Sequence, residues 1–338
     1  MKKISLVQIV LLGIGLIMTA CGSGGGSGDR SGDSEFIVSG GNPASLTTIR
    51  VSVDSGGNQS SGGNSYNASV SSDGRYVAFE SDATNLIAND ANGGVRDIFV
   101  NDRTTGLTTV VSVNANDTQG NASSFLPSVS ADGRYVAFES VATNLIANDT
   151  NGAVRDIFMH DRITGSTTVV SVSSNSTQGN ASSFLPSVSA DGRYVAFESG
   201  ATNLIANDTN GAVRDIFMHD RTTGSTTVVS VNSNRTQGNA SSFSPSVSAD
   251  GRYVAFESVA TDLIANDTNG VVRDIFVHDR TMGSTKVVSV NSNGTQGNND
   301  SFASFISANG IYVAFESLDS NLVSNDSNGL RDIFVREH

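Results

Sequence analysis

The chain has no tryptophan and a single cysteine, and Lys2, Lys3 and Lys286 are its only lysines. One cysteine excludes an internal disulfide, so stability must come from packing. Without tryptophan, and with long polar segments nearly bare of Phe and Tyr, the loops lack the flat apolar faces that sugar recognition stacks on. Basic residues are not clustered, which excludes a phosphate-neutralising surface and with it nucleic acid as a partner. No Cys-His pair, nucleophile elbow or phosphate loop is present.

What is there begins with an export segment. Lys2-Lys3 precede an apolar run from Leu6 to Met18, too short for a membrane-spanning helix, so residues 1–20 are expected to be a signal peptide. Met18-Thr19-Ala20-Cys21 resembles the bacterial lipobox, which implies that Cys21 is lipidated and becomes the mature N-terminus. Two or three acyl chains would anchor the protein stably where one would not. Residues 21–45 then read as the lipidated Cys and a flexible Gly/Ser tether, with a reach of roughly 25 Å. Loss of Lys2 and Lys3 lowers Lys+Arg from 20 to 18 against 33 acidic residues, so the net charge moves from −13 to −15. Such a surface favours solubility and cations over anionic membranes.

Residues 46–338 are dominated by a repeat. Asp73-Gly74, Asp132-Gly133, Asp191-Gly192, Asp250-Gly251 and Asn309-Gly310 recur every 59 residues, each followed by Tyr-Val-Ala-Phe-Glu-Ser and then Arg-Asp-Ile-Phe. In the unit starting near Ser123, strands are predicted over 125–130, 134–140, 156–160 and 166–172, with Asp132-Gly133 and Thr164-Gly165 as tight turns. Four short antiparallel strands repeated radially describe a β-propeller blade. The last unit supplies only three strands, and an orphan segment, 47–53, matches the fourth strand of the others. The expectation is an all-β, five-bladed β-propeller, four antiparallel strands per blade, closed by the N-terminal strand. Strand direction places the Asp-Gly and Thr-Gly turns on one face and the long loops, such as 141–155 and 173–182, on the other. Long loops on a rigid scaffold are where binding residues usually sit.

Ser-Ala-Asp-Gly-Arg-Tyr-Val-Ala-Phe-Glu-Ser at 130–140 and Asp-Ile-Phe-Met-His-Asp at 156–161, with their copies, resemble the TolB-type, WD-like β-propeller repeat. The resemblance covers about residues 47–338. It implies an interaction scaffold of the periplasm or cell surface, although some propellers of the wider class are enzymes. The count of five blades differs from the six of TolB itself, and no separate α/β domain precedes them.

Two sets of repeated polar residues are candidate sites. Asp and Asn alternate ahead of a Gly turn at Asp90, Asn92 and Asp97, at Asp149, Asn151 and Asp156, at Asp208, Asn210 and Asp215, at Asp267, Asn269 and Asp274, and at Asp326, Asn328 and Asp332. The pattern resembles an oxygen-ligand calcium loop. The competing reading makes these side chains turn-formers. Glu80, Glu139, Glu198, Glu257 and Glu316 fall on the second strand of each unit and need partners if buried. Arg96, Arg155, Arg214, Arg273 and Arg331 are expected to supply structural ion pairs. His160, His219 and His278 are equivalent strand positions, expected near the surface.

The expected function is an exported, lipid-anchored propeller that binds or scaffolds without catalysis at the bacterial cell envelope, on the outer membrane or cell surface. It is expected to be a monomer with an envelope protein as partner and no cofactor unless calcium binds. The alternatives are a multivalent calcium- or glycan-binding propeller using the long-loop face, and a hydrolase with its site in the central channel. A hydrolase would need one blade to carry a unique residue cluster, and the repeats are uniform.

Overall fold

The structure, a computed structural model, describes residues 48–338. Cys21, the signal segment and the tether lie outside the described residues. Ile49–His338 form one compact unit. Its first blade contains β1 (Ser65–Val70), β2 (Tyr76–Ser81), β3 (Asp97–Asp102) and β4 (Thr108–Val110). The second contains β5 (Ser124–Val129), β6 (Tyr135–Ser140), β7 (Asp156–Asp161) and β8 (Ser166–Val169). The third contains β9 (Ser183–Val188), β10 (Tyr194–Ser199), β11 (Asp215–Asp220) and β12 (Ser225–Val228). The fourth contains β13 (Ser242–Val247), β14 (Tyr253–Ser258), β15 (Asp274–Asp279) and β16 (Ser284–Val287). The fifth contains β17 (Ser301–Ile306), β18 (Tyr312–Ser317) and β19 (Asp332–Glu337). Strands pair antiparallel in chain order within each sheet.

Turn chemistry sets the hairpins. Gly133 and Gly165 take φ of 72° and 71°, a conformation that costs glycine nothing and other residues about 1–2 kcal/mol. The fourth strand is shorter than the 166–172 expected. Ser171 Oγ accepts the Ile157 N–H at 3.0 Å and donates to Asp156 at 2.6 Å, which ends the ladder and turns the chain toward the next blade.

Blades pack face on face. Ala78, Ile98 and Val100 of the first blade bury against Val136, Phe138, Leu145 and Phe158 of the second, and the same cluster recurs at the next three junctions. Each buried Val, Ile or Phe contributes about 1.5–3 kcal/mol. Tyr76 lies on Gly133, Tyr135 on Gly192, Tyr194 on Gly251 and Tyr253 on Gly310. Any Cβ at those glycines would collide with the ring.

The closing strand differs from expectation. Residues 48–53 form no strand, and the last sheet has three strands. By equivalence with the Val100↔Thr109 pair, Ile49 would lie opposite Val335. Instead Ile49 is 49% exposed and Val335 67%. Val53 is fastened to the first blade, where Thr108 Oγ1 donates to its carbonyl at 2.6 Å. Four equivalent junctions fix the turn from blade to blade, and after four such steps β19 does not meet the N-terminal segment.

Candidate functional site at the channel mouth

The first strand of each blade lies innermost, and β1, β5, β9, β13 and β17 together line a central cavity of about 750 Å³. Each innermost strand begins at the long-loop face with a serine, and its second residue is aromatic: Tyr66, Phe125, Phe184, Phe243 or Phe302. The next residue has positive φ, from 47° to 52°, at Asn67, Leu126, Leu185, Ser244 and Ala303. A register shift at that point marks a bulge, which re-aims the backbone.

The bulge serves the glutamates. Glu80 accepts the Leu126 N–H at 2.7 Å, Glu139 that of Leu185 at 2.7 Å, Glu198 that of Ser244 at 3.2 Å, and Glu257 that of Ala303 at 2.8 Å. Each of these carboxylates also meets the arginine that ends its own long loop. The five pairs are Glu80–Arg96 at 3.1 Å, Glu139–Arg155 at 2.7 Å, and Glu198–Arg214, Glu257–Arg273 and Glu316–Arg331 at 2.9 Å. Burial raises the Glu198 carboxyl above its ordinary value. Glu316 has no following blade to bond; its side chain is 34% exposed, against 1–5% for the other four.

Each guanidinium lies over aromatic rings. Arg155 sits 4.7 Å from the Phe125 centroid and 5.4 Å from that of Phe184, and Arg273 lies 4.8 Å from Phe243 and 5.2 Å from Phe302. Arg96, Arg214 and Arg331 continue the ladder over Tyr66, Phe184 and Phe302. These cation–π contacts hold the guanidinium planes in place. In the first blade Asp82 occupies the remaining Arg96 fork, at 2.6 and 3.1 Å. The equivalent positions are Val141, Gly200, Val259 and Leu318. The Nε and Nη2 groups of Arg155, Arg214, Arg273 and Arg331 therefore have no carboxylate partner among the described residues.

The long-loop oxygens are engaged otherwise. Asp149 Oδ1 accepts the N–H groups of Asn151 and Gly152 at 3.1 and 2.9 Å, while Asn151 Nδ2 donates to Asp156 at 2.9 Å. Asp208 and Asp267 form the same turns. Asp90 does so in the first blade, where Gln119 Nε2 donates to Asp90 and Asp97 at 3.3 Å and to Asn92 at 3.5 Å. Gln237 and Gln296 likewise point an N–H donor at Asn210 and Asp215 and at Asn269 and Asp274. In the last blade Asn328 Nδ2 donates to Asp332 at 2.8 Å. Among the described residues no three His, Cys, Asp or Glu side chains are close enough to share a metal. Burial pushes Asp97, Asp156 and Asp274 up to about 6.

The histidines are a correction. His160, His219 and His278 are buried, not at the surface. His160 Nδ1 bonds Thr167 Oγ1 at 2.9 Å, and that hydroxyl donates to the Val113 carbonyl of the preceding blade's connection. They are rivets between blades.

The fold is a β-propeller. No family model and no curated protein matches this chain. Solved structures similar to it include TolB from Acinetobacter baumannii, at 17% identity and a TM-score of 0.45, covering 77% of this chain and 53% of that one. TolB from Agrobacterium tumefaciens is 18% identical, with a TM-score of 0.44 and coverage of 85% and 78%. The β-propeller domain of the Trilobed protease from Pyrococcus furiosus is 12% identical, with a TM-score of 0.49 and coverage of 82% and 69%. The chain thus spans about half the length of the Acinetobacter protein.

Proposed function

We propose that this chain is an exported, lipid-anchored propeller that acts as a non-catalytic binding or scaffolding module at the bacterial cell envelope, with the channel mouth as its binding surface. The observation that carries this reading is the ladder of arginines and aromatics around the mouth. Four guanidiniums present an unoccupied fork there, each held flat by an aromatic ring and by one glutamate, buried in all but the last blade. Planar forks of this kind match carboxylates. The fitting ligand is an extended segment of a partner protein that offers carboxylates to the mouth and apolar side chains to Phe243, Phe302 and the channel wall. The serines of the wall, such as Ser128, accept backbone N–H groups from the next blade and have no histidine beside them, so catalysis has no nucleophile–base pair to start from. Anchoring through Cys21 would keep the mouth within tether reach of a membrane.

The test is fluorescence anisotropy with a labelled peptide of alternating Glu and Val. Wild-type protein should bind it in a salt-sensitive manner, and the double variant Arg214→Gln/Arg273→Gln, less stable because Glu198 and Glu257 lose their partners but still folded by circular dichroism at the assay temperature, should bind at least tenfold more weakly. Equal binding by wild type and variant, or turnover of ester or peptide substrates by the wild type, would remove this reading.

A further inference from the structure

The third and fourth blades enclose a groove of about 450 Å³ between β12 and β15, walled by the aliphatic side chains of Ile205, Val228 and Val229 and bordered by Arg235, His278 and Arg280. A groove of this size takes a small molecule. The same groove one junction earlier, of about 500 Å³, has Ser176 in the place of Arg235. Asp117 and Gly294 stand there at the other two junctions. The groove between the third and fourth blades is therefore the one that pairs two arginines.

His278 is 5% exposed. Its Nδ1 lies 2.8 Å from Thr285 Oγ1, and that hydroxyl spends its one proton on the Val231 carbonyl. The imidazole must therefore carry its own proton on Nδ1 and donate it to Thr285. Burial keeps the ring neutral, pushing it down to about 4, so Nε2 is a bare lone pair. That nitrogen has no partner among the described residues and is not sealed off, because the imidazole lines the groove. A buried acceptor open to a cavity calls for a donor.

The arginines narrow the choice of donor. Arg280 is anchored: its Nη1 donates to the Gly251 carbonyl at 2.5 Å, and its guanidinium lies 4.4 Å from the Tyr194 centroid. Arg235 is exposed, and its guanidinium makes no hydrogen bond or ion pair among the described residues. It lies over Gly283, where a side chain would meet its Nε at 3.7 Å. Two guanidiniums near the imidazole repel a metal cation or an ammonium, so the partner of Nε2 is a neutral donor. A hydroxyl is the smallest such donor and can stand next to an acid group. The aliphatic wall leaves the rest of the groove to an apolar body, and a singly charged carboxylate gives up its water more readily than a phosphate dianion.

We infer that this groove binds a small aliphatic hydroxy acid, with its carboxylate between Arg235 and Arg280 and its hydroxyl donating to His278 Nε2. The site is separate from the channel mouth and uses none of its residues.

The experiment is isothermal titration of the full chain with α-hydroxyisocaproate. Wild type should bind one equivalent, and isocaproate, which lacks the hydroxyl, should bind about tenfold more weakly. Arg235→Ser, the residue of the preceding junction, should weaken the hydroxy acid by about tenfold or more with an unchanged melting temperature. His278→Asn keeps the bond to the threonine, as Asn101 does with Thr108 at 3.0 Å, and should make the two acids bind alike. Arg214→Gln/Arg273→Gln should keep the wild-type affinity. No binding at millimolar concentration, equal binding of the two acids by wild type, or undiminished binding by Arg235→Ser would overturn the inference. So would loss of binding in Arg214→Gln/Arg273→Gln, because that result places the acid at the channel mouth.

Discussion

Glu139 accepts the backbone N–H of Leu185, one blade further along the chain, at 2.7 Å. The same carboxylate holds Arg155, so one buried side chain ties two blades and orients one wall of the channel mouth. Its loss should be felt in both stability and binding. Glu139→Ala leaves the Leu185 N–H unsatisfied and removes a charge-assisted bond, an effect of about 1.5–3 kcal/mol. Glu316→Ala removes only a half-exposed pair and should cost less than about 1 kcal/mol. Urea denaturation of the two variants checks the difference; equal losses would mean that the inter-blade bond contributes nothing.

Glycine substitutions read the blade junctions one at a time. Gly192→Ala would place a methyl group on the Tyr135 ring at a residue with φ of 71°. Strain of about 1–2 kcal/mol is then joined by overpacking of about 1–3 kcal/mol. At Gly74, with φ of 70°, the nearest neighbour is only the Arg103 Nη1 atom at 3.2 Å, so Gly74→Ala should show the strain alone. Matching melting temperatures for the two variants would place Tyr312 on Gly74 and so close the ring.

The pH dependence follows from two opposed sets of buried groups. Burial holds His278 down to about 4 from its ordinary 6.5, and lowers His160 and His219 too. Imidazoles kept neutral contribute stability that is present above pH 6.5 and lost as the pH falls toward 4. Asp97, Asp156 and Asp274, raised by burial from 3.8 to about 6, act with the other sign: their contribution is full below 3.8 and lost as the pH rises through 6. The two trends offset each other between about pH 6.5 and 4. Asp102, Asp161 and Asp220 lie well below their ordinary value because Arg75, Arg134 and Arg193 bond them, so their contribution is lost as the pH falls below 3.8. Melting temperature should therefore change little from pH 7 to 4 and drop steeply below. Replacing His160, His219 and His278 with Asn, as in the first blade, should expose the aspartate trend as rising stability from pH 7 to 4.

Calcium at millimolar concentration is expected to leave the melting temperature and the titration heat unchanged. In the blades carrying Gln119, Gln237 and Gln296 an amide N–H donor points at the oxygens a cation would need. A calcium-dependent rise of several degrees would show that the amides turn away and the loops bind.

The strands and their turns were legible because each signal is local: Asp-Gly, a β-rich run, and a fixed period. The Glu–Arg pairs were legible as a need of buried charge for a partner. Other features depend on neighbours that a repeat does not reveal. Phe125 and its counterparts read only as first-strand residues until the strand order puts them innermost, beside an arginine. His160 reads as peripheral until the face of the preceding blade covers it. The turn per blade is set by side-chain packing at the junctions, so counting twenty strands could not say whether the last would reach the first.

An unclosed row of blades carries a consequence for how the molecule comes apart. A closed ring must break two junctions before any blade is released, whereas here a terminal blade leaves after one. Unfolding should then proceed by fraying from the ends, with exchange of backbone amides fastest in β19 and slowest in β10 and β11. A chain held in this way has no single cooperative unit, and pulling on its first blade would unzip it from one side.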